Sequence, residues 1–144
     1  MTFDRNDSPG YLANHMARLF ANGLAQRIQD LGLAPAQFMV LLSLWEQDGV
    51  TQKDLVADLE VEQATMANTL GRMERDGLIE RRPSATDKRA RIVSLTSRAR
   101  ALEPEAKAAA MAQNALAMSG LDAEESAQFV ELMRRVVATM QRAG

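Results

Sequence analysis

The 144-residue chain has no cysteine, one histidine and few aromatic residues: one Trp, one Tyr and four Phe. Without cysteine there are no disulfides, thiolate metal sites or thiol redox sensors, and a single histidine leaves only carboxylates to bind a metal. No apolar run approaches the roughly 20 residues that span a bilayer, and the polar first residues lack a signal-peptide core. We therefore expect a cytoplasmic protein with no membrane contact, no metal and no cofactor.

Positive charge is concentrated in one part of an otherwise acidic chain. The net charge is −2, from 17 basic and 19 acidic residues. Nine of the basic residues but only four acidic ones lie in residues 72–100, so this segment carries about +5 and the remainder about −7. Such a distribution indicates where a polyanion docks, and DNA is the leading candidate. No nucleophile–base pair, phosphate loop or metal cluster can be assembled, so we do not expect an enzyme.

Apolar spacing and turn residues predict six helices and one hairpin. The first helix is predicted over 11–31, with Gly32 ending it, and Pro35 opens the second, which closes at Asp48-Gly49. Thr51 and Asp54 resemble a capping box that opens a third helix. A fourth helix over 62–76, strands over 78–82 and 91–95, and helices over 96–118 and from 122 to about 140 complete the order. Pro104 is expected to kink the fifth helix or delay its regular start.

The third helix, the fourth helix and the hairpin together form a helix-turn-helix with a wing. The fourth helix can enter a major groove about 12 Å wide and present base-reading side chains, while Met66, Leu70 and Met73 form its inner, core-facing side. The predicted DNA-binding residues of the two helices and the wing are Thr51, Gln52, Lys53, Gln63, Ala64, Thr65, Asn68, Thr69, Arg72, Arg82, Lys88, Arg89 and Arg91.

Each part of this surface has a different predicted role. Residues 51–53 are placed to meet a phosphate, helped by free backbone N–H groups at the helix start. Asn68 and Arg72 carry the groups that recognise adenine and guanine edges. Arg89 is the best candidate for insertion into the minor groove. Asp87, which DNA would repel, is expected to orient Arg89 or Arg91 through an ion pair.

The run LIERRPSATDKRARIVSLT, residues 78–96, resembles the wing signature of the MarR family of winged helix-turn-helix transcriptional regulators. It has Gly-Leu-Ile before the first strand, Asp-x-Arg at Asp87 and Arg89, and Leu-Thr before the next helix. Leu-x-Pro-x-Gln-Phe at residues 33–38 and the terminal helices extend the resemblance over nearly the whole chain. Two positions depart from the pattern: Ala34 replaces the usual Thr or Ser cap, a change of about 1 kcal/mol, and Ala99 replaces a common Gly.

The resemblance implies a mainly α (α+β) fold in a single unit over residues 1–144. The winged helix-turn-helix would occupy 35–98, and helices in 8–32 and 99–144 would form a homodimer. Apolar stripes in the first and last helices agree with dimerisation, since one protomer offers them little to pack against. The family implies binding to a pseudo-palindromic operator on double-stranded DNA, repression of nearby genes and release by a small aromatic or phenolic effector.

Several residues have alternative interpretations. His15, Met16, Phe38, Trp45 and Met111 are predicted positions for an effector pocket, although Trp45 also fits the core and His15 a dimer contact. Arg134 and Arg135 fit surface or dimer ion pairs better than DNA contacts. A different class of function also stays open, a winged-helix protein-association or dimerisation module without DNA binding. The cationic wing argues against it, because protein interface cores are depleted in charge.

Overall fold

A computed structural model describes residues 2–144 of the chain. In chain order its elements are α1 (Pro9–Ile28), α2 (Pro35–Glu46), β1 (Val50–Thr51), α3 (Gln52–Leu59), α4 (Gln63–Arg75), β2 (Ile79–Pro83), β3 (Arg91–Leu95), α5 (Ser97–Ala117) and α6 (Ala123–Ala143). This confirms the mainly α fold with a winged helix-turn-helix. No single helix within these residues has the length and apolarity of a membrane span. The helical segments Pro9–Leu31 and Pro35–Glu46 have them only when taken together, and the two are bent by 76° relative to each other.

Local capping explains where α1 begins and ends. The hydroxyl of Ser8 accepts a hydrogen bond from the backbone N–H of Tyr11 at 3.2 Å, and proline occupies the first helical position, where no N–H is needed. The helix therefore starts two residues before the predicted boundary. A 3₁₀ turn (Gln29–Leu31) follows it, and Gly32 then adopts a left-handed conformation with φ of 76°. Gly32 ends the helical segment as predicted, since the left-handed conformation costs glycine little.

The sheet has three antiparallel strands in the order β1-β3-β2. The hairpin pairs Ile79 with Leu95 at its base and Pro83 with Arg91 near its tip. The strand β1 was not predicted, because two residues are too few to show an alternating pattern. It pairs with β3 on the side opposite β2 and thereby attaches the start of α3 to the wing.

The core lies between α2, α3, α4 and the base of the sheet. Among its fully buried members are Leu41, Leu55, Leu70 and Val93, one from each of these elements. The helix α5 packs along α1. It is one continuous helix from Ser97, so Pro104 does not delay its regular start, and the alternative, a kink at Pro104, stays a prediction.

Candidate nucleic-acid interface

The first turn of α3 is closed by a reciprocal capping box. The hydroxyl of Thr51 accepts from the backbone N–H of Asp54 at 3.1 Å, and the Asp54 carboxylate accepts from the backbone N–H of Thr51 at 3.0 Å. The backbone hydrogen bond from Thr51, followed by its hydroxyl, lowers the pKa of the Asp54 carboxyl below its ordinary value. The box uses the N–H groups of Thr51 and Asp54 and does not use those of Gln52 and Lys53. The prediction of free N–H groups for residues 51–53 therefore needs correction at Thr51.

The helix α4 has an apolar inner face and a polar outer face. Met66, Leu70 and Met73 are buried and bind the helix to the core, as predicted. The outer face carries the predicted base-reading residues, which are exposed except for half-buried Thr69: Gln63, Ala64, Thr65, Asn68, Thr69 and Arg72. Three apolar side chains at helical spacing thus leave the opposite side of α4 available to a major groove.

The wing tip is ordered by its own hydrogen bonds. The hydroxyl of Ser84 accepts from the backbone N–H of Thr86 and of Asp87, both at 3.2 Å. The Asp87 carboxylate accepts from the backbone N–H of Arg89 at 3.0 Å. Within residues 2–144 it forms no salt bridge, so the predicted ion pair with Arg89 or Arg91 is replaced by a backbone contact. This contact shapes the turn and leaves the guanidinium group of Arg89 in solvent.

The arginines on β2, by contrast, are paired. Arg81 bonds to Glu74 of α4 at 3.1 Å, and Arg82 bonds to Glu80 of its own strand at 2.9 Å. The Arg81–Glu74 pair connects the wing to the end of α4. Residues Arg72, Lys88, Arg89 and Arg91 are exposed and have no carboxylate partner in the described part of the chain. On this surface, uncompensated positive charge therefore lies on α4, at the wing tip and on exposed Lys53 at the start of α3.

These parts meet around one cleft of about 600 Å³. The start of α3 contributes Thr51, Gln52 and Lys53 to it, and α4 contributes Gln63. From the wing come Arg81, Asp87, Arg89 and Arg91. The cleft brings together seven predicted site residues that are far apart in the sequence. The outer residues from Ala64 to Arg72, together with Arg82 and Lys88, lie outside its lining.

The end of α4 is held by contacts that the sequence analysis missed. The N–H of Leu78 donates to the carbonyl of Met73 at 2.9 Å, and that of Gly77 to Glu74 at 3.1 Å, with Gly77 at φ of 74°. This is a Schellman motif with glycine in its left-handed position. The side chain of Gln37, from α2, donates to the Asp76 carboxylate at 3.0 Å. The sequence signal for the last contact was the glutamine of Leu-x-Pro-x-Gln-Phe, which did not indicate its partner.

Comparisons with known proteins agree with this geometry. The model of the MarR family matches residues 33–90. The chain is 30% identical to the transcriptional regulator HosA of Escherichia coli O157:H7, over 88% of this chain and 94% of HosA. The chain belongs to the MarR family of transcriptional regulators. A probable transcriptional regulator from Pseudomonas aeruginosa has the same fold, with a TM-score of 0.85 and 29% identity over 92% of this chain and 99% of that one.

Another MarR-like fold has been solved on DNA. The structure of reduced AbfR bound to DNA has a TM-score of 0.78 and 24% identity, over 92% of this chain and 90% of AbfR. At that identity the likeness concerns the fold.

An apolar cavity of about 470 Å³ lies between α1, α2 and α5 of this MarR-family chain. Phe20, Leu24, Phe38 and Leu42 line it, with the amides of Gln113 and Asn114 as polar groups. Of the five predicted pocket positions, it includes Phe38. The other four lie outside its lining: His15, Met16, Trp45 and Met111. Trp45 instead donates its indole N–H to the carbonyl of Ala99 at 3.2 Å.

The helix α6 has an apolar face that no part of residues 2–144 covers. None of its 21 residues is buried. Its exposed apolar side chains include Leu132, Val136 and Met140, which are 52%, 56% and 63% exposed. A cavity of about 610 Å³ separates α6 from α1 and α5, and Phe20, Met118 and Phe129 are among its apolar lining residues. A face of this extent in contact with water is unusual for a monomer.

Proposed function

We propose that this MarR-family protein is a sequence-specific DNA-binding transcriptional regulator. The cleft between α3, α4 and the wing carries this proposal, because it joins the start of one helix, an exposed recognition helix and unpaired cationic side chains on one surface. Phosphates would meet Thr51, Gln52 and Lys53 together with the wing residues Arg82, Lys88, Arg89 and Arg91. Base edges would meet the outer face of α4, where Gln63, Ala64, Thr65, Asn68, Thr69 and Arg72 lie.

The roles within the wing follow from the contacts there. Arg89 is the group for the minor groove, since its side chain is exposed and its backbone N–H is held by Asp87. Asp87 thus orients the wing through the backbone. Arg82 would exchange its exposed partner Glu80 for a phosphate, at small cost because exposed pairs are worth little.

We further propose a homodimer in which segments 8–32 and 99–144 associate and 35–98 binds DNA. The support is the apolar face of α6, which one protomer leaves in water. Two-fold symmetry would then place the two recognition helices on half-sites about 34 Å apart, which suits a pseudo-palindromic operator. Repression of nearby genes is proposed from the resemblance to the MarR family.

A small aromatic or phenolic effector would release the DNA from the protein. The cavity behind α2 supports this part of the proposal, because apolar side chains line it and the amides of Gln113 and Asn114 supply hydrogen bonds. The effector would lie against Phe38. A panel of phenols and aromatic acids tests it: an effector raises the melting temperature and weakens DNA binding, and a panel that changes neither contradicts this part.

DNA binding is tested by a mobility shift on duplexes selected from a randomised pool, measured across a salt series. A regulator selects a recurring, two-fold symmetric sequence, and its affinity falls steeply with salt because phosphate contacts release counterions. The alternative, a protein-association module without DNA binding, predicts no selection and no shift at low salt. Absence of any shifted species therefore rejects the proposal.

The dimer is tested by sedimentation of the full chain. Val136→Glu places a charge on the apolar face of α6 and is expected to yield monomers. Arg135→Gln changes the charge by the same amount on the polar face and should leave the dimer intact. A wild-type monomer at micromolar concentration, or a Val136→Glu variant that is still fully dimeric, contradicts this interface.

A further inference from the structure

The buried side chain of Gln37 connects the start of α2 to the end of α4. It is 6% exposed, and both ends of its amide are used. The oxygen accepts from the backbone N–H of Ala34 at 3.1 Å, and the nitrogen donates to the Asp76 carboxylate at 3.0 Å. A buried amide with two partners has one favoured orientation, because turning it would leave both partners unpaired. The contact therefore fixes Asp76 relative to α2.

Asp76 occupies an electrostatically unfavourable position. It is the C-cap of α4, where the helix dipole disfavours a carboxylate. Donors from two other helices offset this: Gln37 of α2 bonds to its carboxylate, and the Arg98 guanidinium of α5 bonds to its backbone carbonyl. Three helices therefore meet at one residue at the end of the recognition helix.

The opposite end of α4 is held by packing of buried Met66 and has no polar bond comparable to the one at Asp76. Its N-cap, Glu62, makes no side-chain capping bond. A helix of 13 residues is about 20 Å long, so a tilt of about 5° around the anchored end moves the first turn by roughly 1.7 Å. Hydrogen bonds to base edges tolerate only a few tenths of an ångström. A change of orientation at Asp76 would therefore shift Gln63 and Asn68 relative to base edges.

We propose that Gln37 and Asp76 are positioning residues whose bond sets the tilt of α4 and thereby the discrimination between DNA sequences. This inference rests on the proposed function. A positioning role can be distinguished from a purely structural one. Loss of the Gln37–Asp76 bond should reduce sequence discrimination more than it reduces general affinity for a duplex. The cationic groups of the wing, which supply general affinity, are not bonded to either residue.

The test uses Gln37→Glu in the full-length protein. The new carboxylate still accepts the Ala34 N–H but faces Asp76 with a second negative charge. Adding Asp76→Asn restores one donor and one acceptor with their positions exchanged. Gln47→Glu adds the same charge at the opposite end of α2 and is the matched control. All variants are measured for amide hydrogen exchange at residues 76–78 and for affinity toward a selected duplex and a scrambled duplex of the same composition.

We expect Gln37→Glu to accelerate exchange at residues 76–78 by about tenfold and to reduce the ratio of the two affinities by about tenfold, as for a lost charge-assisted bond. The double variant should return both to within about threefold of wild type, and Gln47→Glu should change neither. Unchanged exchange in Gln37→Glu overturns the inference. Accelerated exchange with an unchanged affinity ratio also overturns it and leaves the proposed function standing. If wild type selects no duplex, the proposed function fails, and with it the inference.

Discussion

The carboxylate of Asp48, in the turn after α2, accepts a hydrogen bond from the backbone N–H of Leu95, 2.9 Å away and 47 residues later in the chain. Its second oxygen pairs with Arg100 at 3.0 Å. One side chain thereby holds the base of the wing against the end of α2. The geometry of the candidate interface depends on this contact, because β3 leads directly to the wing tip.

Removing the Asp48 carboxylate should destabilise the wing. In Asp48→Ala the partly buried N–H of Leu95 loses its acceptor, so we expect the free energy of unfolding to fall by about 1–3 kcal/mol. Asp48→Asn is the matched control, since its amide oxygen can still accept from Leu95 while the exposed ion pair with Arg100 is lost. Chemical denaturation of both variants measures the difference. Equal losses would show that the ion pair, and not the backbone contact, matters.

Neutralising the wing tip should weaken DNA binding on all sequences. Arg89→Ala removes one unpaired cation, so the affinity should fall on all duplexes and the salt slope should decrease by about one charge. Arg135→Gln, on the polar face of α6, removes the same charge away from the DNA-binding surface and should leave the slope unchanged. Binding isotherms across a salt series provide the measurement. An unchanged slope in Arg89→Ala excludes this residue from the phosphate and groove contacts.

A substitution on the recognition helix should have the complementary effect. Asn68→Ala removes an exposed amide that can pair with an adenine edge, and we expect discrimination at particular base pairs to fall by about 1–3 kcal/mol. The salt slope should be retained, because no charge is lost. Affinities for single-base variants of the selected duplex measure this loss. A uniform weakening over all variants would assign Asn68 to the backbone instead.

The capping box at the start of α3 should make stability sensitive to acid. The bonds from Thr51 lower the pKa of Asp54 in the folded protein, so the ionised carboxylate stabilises the fold above the unfolded pKa of about 3.9. This contribution is lost as the pH falls through that value toward the lower folded pKa. Denaturation between about pH 3 and 6 should therefore show a shallower pH dependence for Asp54→Asn than for wild type. Parallel curves would mean that the box does not contribute.

Local patterns in the sequence predicted most of the elements and the parts of the candidate site. The inner face of α4 followed from the spacing of Met66, Leu70 and Met73, and the hairpin from its strand residues and turn. The capping box could be predicted because Thr51 and Asp54 are only three residues apart. The delayed start expected at Pro104 was wrong, since α5 is helical on both sides of the proline.

Contacts between distant residues could not be predicted in this way. Gln37 and Asp76 are 39 residues apart, and Asp48 and Leu95 are 47 apart. No spacing rule relates such positions, since the folded core alone brings them together. For the same reason, only one of the five predicted effector positions lines the cavity. Phe38 lines the cavity, but neighbouring apolar residues such as Met16 and Trp45 have other surroundings.

The surroundings of Trp45 have a practical consequence. It is the sole tryptophan of the chain, its ring lies edge-on to Phe38 with centroids 6.0 Å apart, and the ammonium of Lys107 lies 5.7 Å from it. Indole emission depends on nearby charges and on hydration. The protein therefore contains an intrinsic fluorophore at the junction of α2 and α5, so that movements of this junction can be followed optically without attaching a dye.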